Sequence, residues 1–299
     1  MQPCGKDGES LASQRAGWAA PAHGEVRIDI WQFALLAVIG VAVGTYGTLV
    51  GLGGGFLVVP LLLLVYNLSP PAAAATSLVV VFLNAASGSA GYLSRRRVDV
   101  RAGLILALGT IPGALIGPAI AVRIPQRAFE LVFATFLIGM AAFLVARPQT
   151  PSAIPSSLGG DWFRVRRTFT DAAGSAHSIS FSAPLALAIS FVVGIISSLL
   201  GIGGGVIHVP AMIHLMGFPV HIATATATFV LSTTALTAVL EYTRRGLVNW
   251  PLAIALGVGV VVGAQLGAAV SHRIHARWLV RLLTLAILGL GVRMLVEGG

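Results

Sequence analysis

The chain has 299 residues, of which 56% are hydrophobic and only 10% charged, with a mean hydropathy of +0.90. A soluble domain typically carries about 25% charged residues, so the composition excludes an ordinary soluble fold. The net charge of +9 would suggest nucleic acid in a soluble protein. Here the arginines sit between apolar runs, where the positive-inside rule accounts for them, and no nucleic-acid partner is expected.

Residues 1–28 are polar and lack the apolar core and cleavage site of a signal peptide, so a flexible N-terminal tail is expected there. The single cysteine, Cys4, excludes an intramolecular disulfide and a cysteine-based metal cluster. A first membrane unit is expected over 29–147, with helices near 30–50, 54–66, 72–93, 101–122 and 126–146. A linker follows at 148–182. It holds Pro148, Pro151, Pro155, Gly159 and Gly160, then the basic–aromatic run Trp162-Phe163-Arg164-Val165-Arg166-Arg167. Ordinary cytoplasmic positive charge explains that run better than headgroup binding. A second unit covers 183–299, with helices near 184–200, 204–216, 221–242, 250–270 and 276–297. The apolar runs are continuous and lack period-two alternation, which argues against strands. The fold class is therefore all-α, a polytopic protein of the lipid bilayer. Segments 54–66 and 204–216 reach only ~20 Å of a ~30 Å hydrocarbon core and read as half-helices.

The two units resemble each other. GLGGGFLVVP at Gly51–Pro60 returns as GIGGGVIHVP at Gly201–Pro210. At the same offset Thr76 pairs with Thr226, Tyr92 with Tyr242 and Arg95 with Arg245. Gly109, Gly113 and Gly117 pair with Gly259, Gly263 and Gly267. So many pairs in one register indicate duplication, each copy having about five helical segments and a helix broken at the glycines. Broken helices survive in a bilayer only against protein or a watery cavity, which points to a transport site.

Charge offers two topologies. If every segment crosses, the repeats are inverted and the arginines show little sidedness. If each broken pair makes one net crossing, most Lys and Arg fall inside with both termini cytoplasmic. The second is preferred, giving parallel repeats of four net crossings.

No enzyme constellation is present: no HExxH, no Ser–His–Asp spacing and no Walker lysine, so neither an enzyme nor a bound cofactor or metal is expected. The glycines at Gly53, Gly54, Gly55 and at Gly203, Gly204, Gly205 are the first candidates for substrate binding. They break the helix, and the half-helix behind them aims unpaired N–H groups and a positive dipole end at the break. The ladders at 109–113–117 and 259–263–267 are read as close helix packing. All ten carboxylates lie in tails, in loops or near helix ends, which argues for an anionic or neutral substrate. Mid-helix polar candidates are Thr76, Asn84, Thr226 and Thr234. His208 lies four residues beyond the second glycine triplet and could donate to an oxyanion or carry a proton. Gln265 replaces Leu115 in the second ladder and is expected to project inward.

At these residues the chain resembles the TauE/SafE family of sulfite exporters. VGLGGGFLVVP and LGIGGGVIHVP carry the resemblance, with the tyrosine and basic loop at 92–97 and 242–245 and the glycine ladders. It covers about 30–147 and 182–297. It implies a multi-pass carrier of the bacterial inner (plasma) membrane that moves sulfite, organosulfonates such as sulfoacetate or taurine derivatives, or related small carboxylates. The reading is an exporter of a small sulfur oxyanion, first of all sulfite, bound between the two glycine breaks. Import by the same class of carrier and a gated anion channel are the alternatives, and a homodimer is a candidate assembly.

Overall fold

The computed structural model describes residues 29–146, 164–170 and 176–270, together with position 289. The tail 1–28, linker residues 147–163 and 171–175, Arg273 and Arg277, and the helix expected at 276–297 lie outside the described residues.

Nine helices and one hairpin fill the described residues. They are α1 (Ile30–Val50), α2 (Gly55–Leu64), α3 (Pro70–Ser94), α4 (Val100–Ala121) and α5 (Gln126–Ala146). A hairpin of β1 (Arg164–Thr170) and β2 (Ala176–Ser182) follows, then α6 (Ala183–Leu200), α7 (Gly205–Met216), α8 (Val220–Arg244) and α9 (Trp250–Val270). The nine expected helices that fall in the described residues are present, and six of them are long and apolar enough to cross a membrane. The protein is an all-α polytopic membrane protein. Its small antiparallel hairpin, which pairs Arg164 with Ser182, was not foreseen in the linker.

Local chemistry sets the helix ends. Pro70 and Pro71 open α3, where a missing N–H costs nothing. The Asp99 side chain caps α4 by accepting from Ala102 N at 3.2 Å. Both α1 and α6 stop at a glycine in the left-handed region, Gly51 at φ 76° and Gly201 at φ 72°. α2 and α7 have 10 and 12 residues, so each reaches only ~15–18 Å, about half a bilayer.

The glycine ladders fix helix direction. Gly259, Gly263 and Gly267 of α9 meet Ala37, Val41 and Thr45 of α1 in that order, so the two helices are parallel. Gly109, Gly113 and Gly117 of α4 likewise meet Leu187, Phe191 and Ile195 of α6. At each step a Cβ would strike the facing backbone, which is why only glycine serves.

α3 is parallel to α9: Asn249 N donates to Thr76 Oγ1 at 3.0 Å, and Gln265 Nε2 to Ser87 O at 2.7 Å. α4 is parallel to α8 by the same logic: Asp99 N donates to Thr226 Oγ1 at 3.1 Å, and Thr234 Oγ1 to Thr110 Oγ1 at 2.7 Å. The short turn 95–99 reverses the chain between α3 and α4. Hence α3 and α8, positions 150 apart, run in opposite directions.

This arrangement corrects the expected topology of four net crossings per half in parallel repeats. α1 and α3 both run parallel to α9, so α2 and the residues after it must carry the chain back before α3 starts. The α1–α2 pair is thus a helical hairpin that returns the chain to the end from which α1 started, and α6–α7 is the same. Matched contacts hold both hairpins in place. Tyr92 Oη donates to Thr48 O at 2.9 Å, and Tyr242 Oη to Ser198 O at 3.0 Å. Both rings are fully enclosed. Tyr92→Phe and Tyr242→Phe are each expected to lower stability by about 1 kcal/mol, read as the unfolding midpoint in detergent.

Candidate functional site

The two glycine breaks meet at the centre of the molecule. A Cβ on Gly55 would lie 2.6 Å from Gly201 O, and one on Gly205 would strike Gly51 O. In the first break Gly51, Gly53 and Gly54 all have positive φ; in the second, Gly201 and Gly203 do, while Gly204 is helical at φ −67°. Side chains that rarely adopt such angles are excluded at those five positions. Ser77 Oγ ties the breaks to α3 by donating to Gly201 O at 2.8 Å.

Apolar side chains stand between the breaks. Val81 of α3 and Leu231 of α8, again 150 apart, both press on Gly53 and on Gly203. Their methyl groups come within 3.0 Å of where either Cβ would stand, which makes an apolar plug. The location expected for the substrate, midway between the triplets, is thus filled in this structure, and each break keeps its own polar side.

The first break is the richer one. Gly51, Leu52 and Gly53 return their N–H groups to α1 carbonyls at 2.9–3.2 Å. Among the described residues, the N–H groups of Gly54, Gly55 and Phe56 donate to no backbone carbonyl. They form the positive end of α2, which is buried inside the protein. Asn84 sits beside them, wholly buried. Its Oδ1 accepts from Thr48 Oγ1 at 2.8 Å, while its Nδ2 has no acceptor. That Nδ2 and Gly54 N lie 2.7 and 2.6 Å from one point, where Gly47 would carry a Cβ. Glycine at 47 therefore leaves a small space between two donors. A buried amide with an unused N–H is costly and calls for an explanation.

The second break differs. Asn84 is replaced by Thr234, whose hydroxyl is engaged with Thr110 Oγ1 and with Val230 O. Gly47 is replaced by Ser197, a buried hydroxyl without a partner. His208, 1% exposed, lies with Nδ1 3.1 Å from where Gly204 would carry a Cβ, and its Nε2 is 3.2 Å from Ser190 Oγ. The N–H groups of Gly204, Gly205 and Val206 also lack a carbonyl acceptor among the described residues.

The other sequence candidates lie apart from the breaks. Thr76 and Thr226 accept from Asn249 N and Asp99 N, so they tie the starts of α9 and α4 across the halves. Gln265 is on the α3–α9 seam, bonded to Ser87. His214 lines an apolar cleft of about 490 Å³ between α5 and α7. Sequence reasoning missed Thr48, Val81, Leu231, Ser190 and Ser197. Only the Val81–Leu231 pair carried a signal, as one more apolar match in the repeat register.

The described carboxylates of the helices stand at or near helix ends. Asp99 caps α4, Glu130 bonds Gln126 in the first turn of α5, and Glu241 pairs with Arg245 at the end of α8. Among the described residues no three His, Cys, Asp or Glu side chains gather. The family model for the sulfite exporter TauE/SafE matches residues 36–294. The chain belongs to this family.

Its relatives agree. A probable membrane transporter protein, YunE, of Bacillus subtilis is 33% identical over 273 residues, covering 89% of this chain and 98% of its own length. A probable membrane transporter protein of Methanocaldococcus jannaschii is 24% identical over 88% of this chain and 95% of its own. One from Xylella fastidiosa is 27% identical over 66% and 68%. No solved structure matches. The chain is thus a multi-pass membrane transporter of the TauE/SafE family.

Proposed function

We propose that the protein exports a small sulfur oxyanion, first of all sulfite, across the bacterial inner membrane. The observation that carries this reading is the buried, acceptor-less Nδ2 of Asn84 beside the unpaired N–H groups that start α2. Donors alone, in a region without carboxylates, suit an oxyanion and repel nothing. Gly54, Gly55 and Asn84 form the primary site. Gly203, Gly204, Gly205 and His208, with Ser197, form a second station beyond the Val81–Leu231 plug, and the anion passes when the plug opens. Thr76, Thr226, Thr234 and Gln265 hold the helices that frame these stations.

Residues 29–147 and 183–299 are read as the two copies of a duplicated unit. The tyrosine bonds 150 positions apart and the reciprocal contact of the breaks support that division. A negative interior drives a monoanion outward by ~2.3 kcal/mol per 100 mV, so export needs no coupled ion.

Proteoliposomes loaded with sulfite test the proposal. Efflux is expected to rise with an imposed potential, interior negative, and to be inhibited by sulfite analogues. Selective movement of sulfoacetate or of a carboxylate would reassign the substrate. Single-channel currents would reassign the class to an anion channel.

A further inference from the structure

We propose that one face of α3, running Asn84–Gly88–Gly91–Arg95, is the path by which the anion reaches the first break, and that it makes loading one-sided. The inference rests on the oxyanion reading above and adds the direction.

Positions 84, 88, 91 and 95 share a helix face, and the run from Asn84 to Arg95 covers ~16 Å. At its inner end is the acceptor-less Asn84 amide, wholly buried and turned toward Gly54 N. At its outer end is a cation. Arg95 Nη1 donates to Gly91 O at 2.9 Å and lies 3.3 Å from where Gly91 would carry a Cβ; Gln265 Oε1 lies at the same distance from that point. No ion pair among the described residues uses Arg95. Between the ends only glycine stands on the face, and the groups above it come from other helices. Thr48 of α1 covers Gly88, and Ala268 and Gln265 of α9 cover Gly91. The path is closed here by α1 and α9, and it opens when they shift off α3.

The matching face of α8 has the opposite character. Asn84 becomes Thr234, which is already hydrogen-bonded, Gly88 becomes Ala238, and Gly91 becomes Glu241. Glu241 accepts from Arg245 Nε at 2.9 Å and from Nη2 at 2.7 Å, which neutralises the cation equivalent to Arg95. With Arg244 and Arg245 both paired to Glu241, the α8 face offers an incoming anion no unpaired cation, whereas Arg95 on α3 draws one in. Because α3 and α8 are antiparallel, the two faces open on opposite sides of the membrane.

The α3 end also carries Arg96, Arg97 and Arg101, and α6 starts on that side, next to the hairpin strand with Arg164, Arg166 and Arg167. The other side holds Arg123, Arg127, Arg244 and Arg245 among the described residues. The richer side is cytoplasmic by the positive-inside rule. Loading from the α3 end is therefore loading from the cytoplasm.

Uptake of radiolabelled sulfite into right-side-out and inside-out membrane vesicles at low ionic strength tests this. Arg95→Gln is expected to raise the apparent KM about tenfold for loading at the α3 end and to leave the other side unchanged, the effect fading as salt is added. Glu241→Gln, which frees Arg245, is expected to lower the KM from the other side. Equal effects of Arg95→Gln from both sides, or none from either, would overturn the one-sided path. Sulfite binding to the purified parent protein separates the two levels. A parent that binds sulfite but shows a symmetric Arg95→Gln effect rejects only the path, and a parent that neither binds nor moves sulfite rejects the oxyanion reading.

Discussion

An Asn84→Asp variant is expected to bind sulfite about 100-fold more weakly than the parent chain while folding normally. The substitution keeps shape and volume. One oxygen can still accept from Thr48 Oγ1, so the internal contact survives. What changes is the other atom, which turns from a donor into part of a carboxylate. That carboxylate sits beside the free N–H groups of Gly54, Gly55 and Phe56, where the positive end of α2 welcomes it. The variant therefore carries its own anion in the place of the substrate. Loss of one charge-assisted bond plus direct competition corresponds to about 3 kcal/mol. Unfolding temperature should hold or rise, a combination that a purely structural asparagine would not give. Titration calorimetry with sulfite and a thermal melt in detergent read both quantities. Parent-like sulfite affinity in this variant would place the substrate elsewhere.

The second large effect falls on the contact between the breaks. Gly205→Ala is expected to destabilise the protein by about 3 kcal/mol. Its new methyl would be driven into the carbonyl oxygen of Gly51, an atom of backbone that no rotamer change can move aside. Gly204→Ala is the control. Its φ is −67°, and its nearest neighbours are side-chain atoms of Val193 and His208 at 3.0 and 3.1 Å, which can give way. It should cost less than about 1 kcal/mol by the same principle of local relaxation. Thermal unfolding followed by size-exclusion separates the pair. Equal stability of the two variants would mean that the breaks are not held against each other.

Much of this molecule was legible in the sequence. Helix positions followed from uninterrupted apolar runs, and the breaks from glycine triplets that no stable helix tolerates. Asn84 stood out because an amide is costly to bury among alanines and valines. The topology was not legible, because it hinged on whether 13 or so residues after each triplet cross the membrane or turn back. Charge pointed the other way: one net crossing per broken pair gathers more Lys and Arg on one side than the arrangement found, in which Arg123, Arg127, Arg244 and Arg245 face a larger opposing group. Thr76 and Thr226 looked like site residues because they are polar, set within apolar helices and repeated. Their partners, Asn249 N and Asp99 N, lie in the other half, and nothing in a linear text announces such a pairing. The plug was hidden for the opposite reason: Val81 and Leu231 are two apolar residues among scores.

The glycine ladders carry a mechanical consequence. Each opening helix, α1 or α6, is seamed along its length not to its own half but to the ladder helix of the other. Bodies cut at the linker would have to unzip both seams before they could swing. Units that moved with these seams intact would be chimeric, α1 staying with α9 and α6 with α4, like two hands clasped with fingers exchanged.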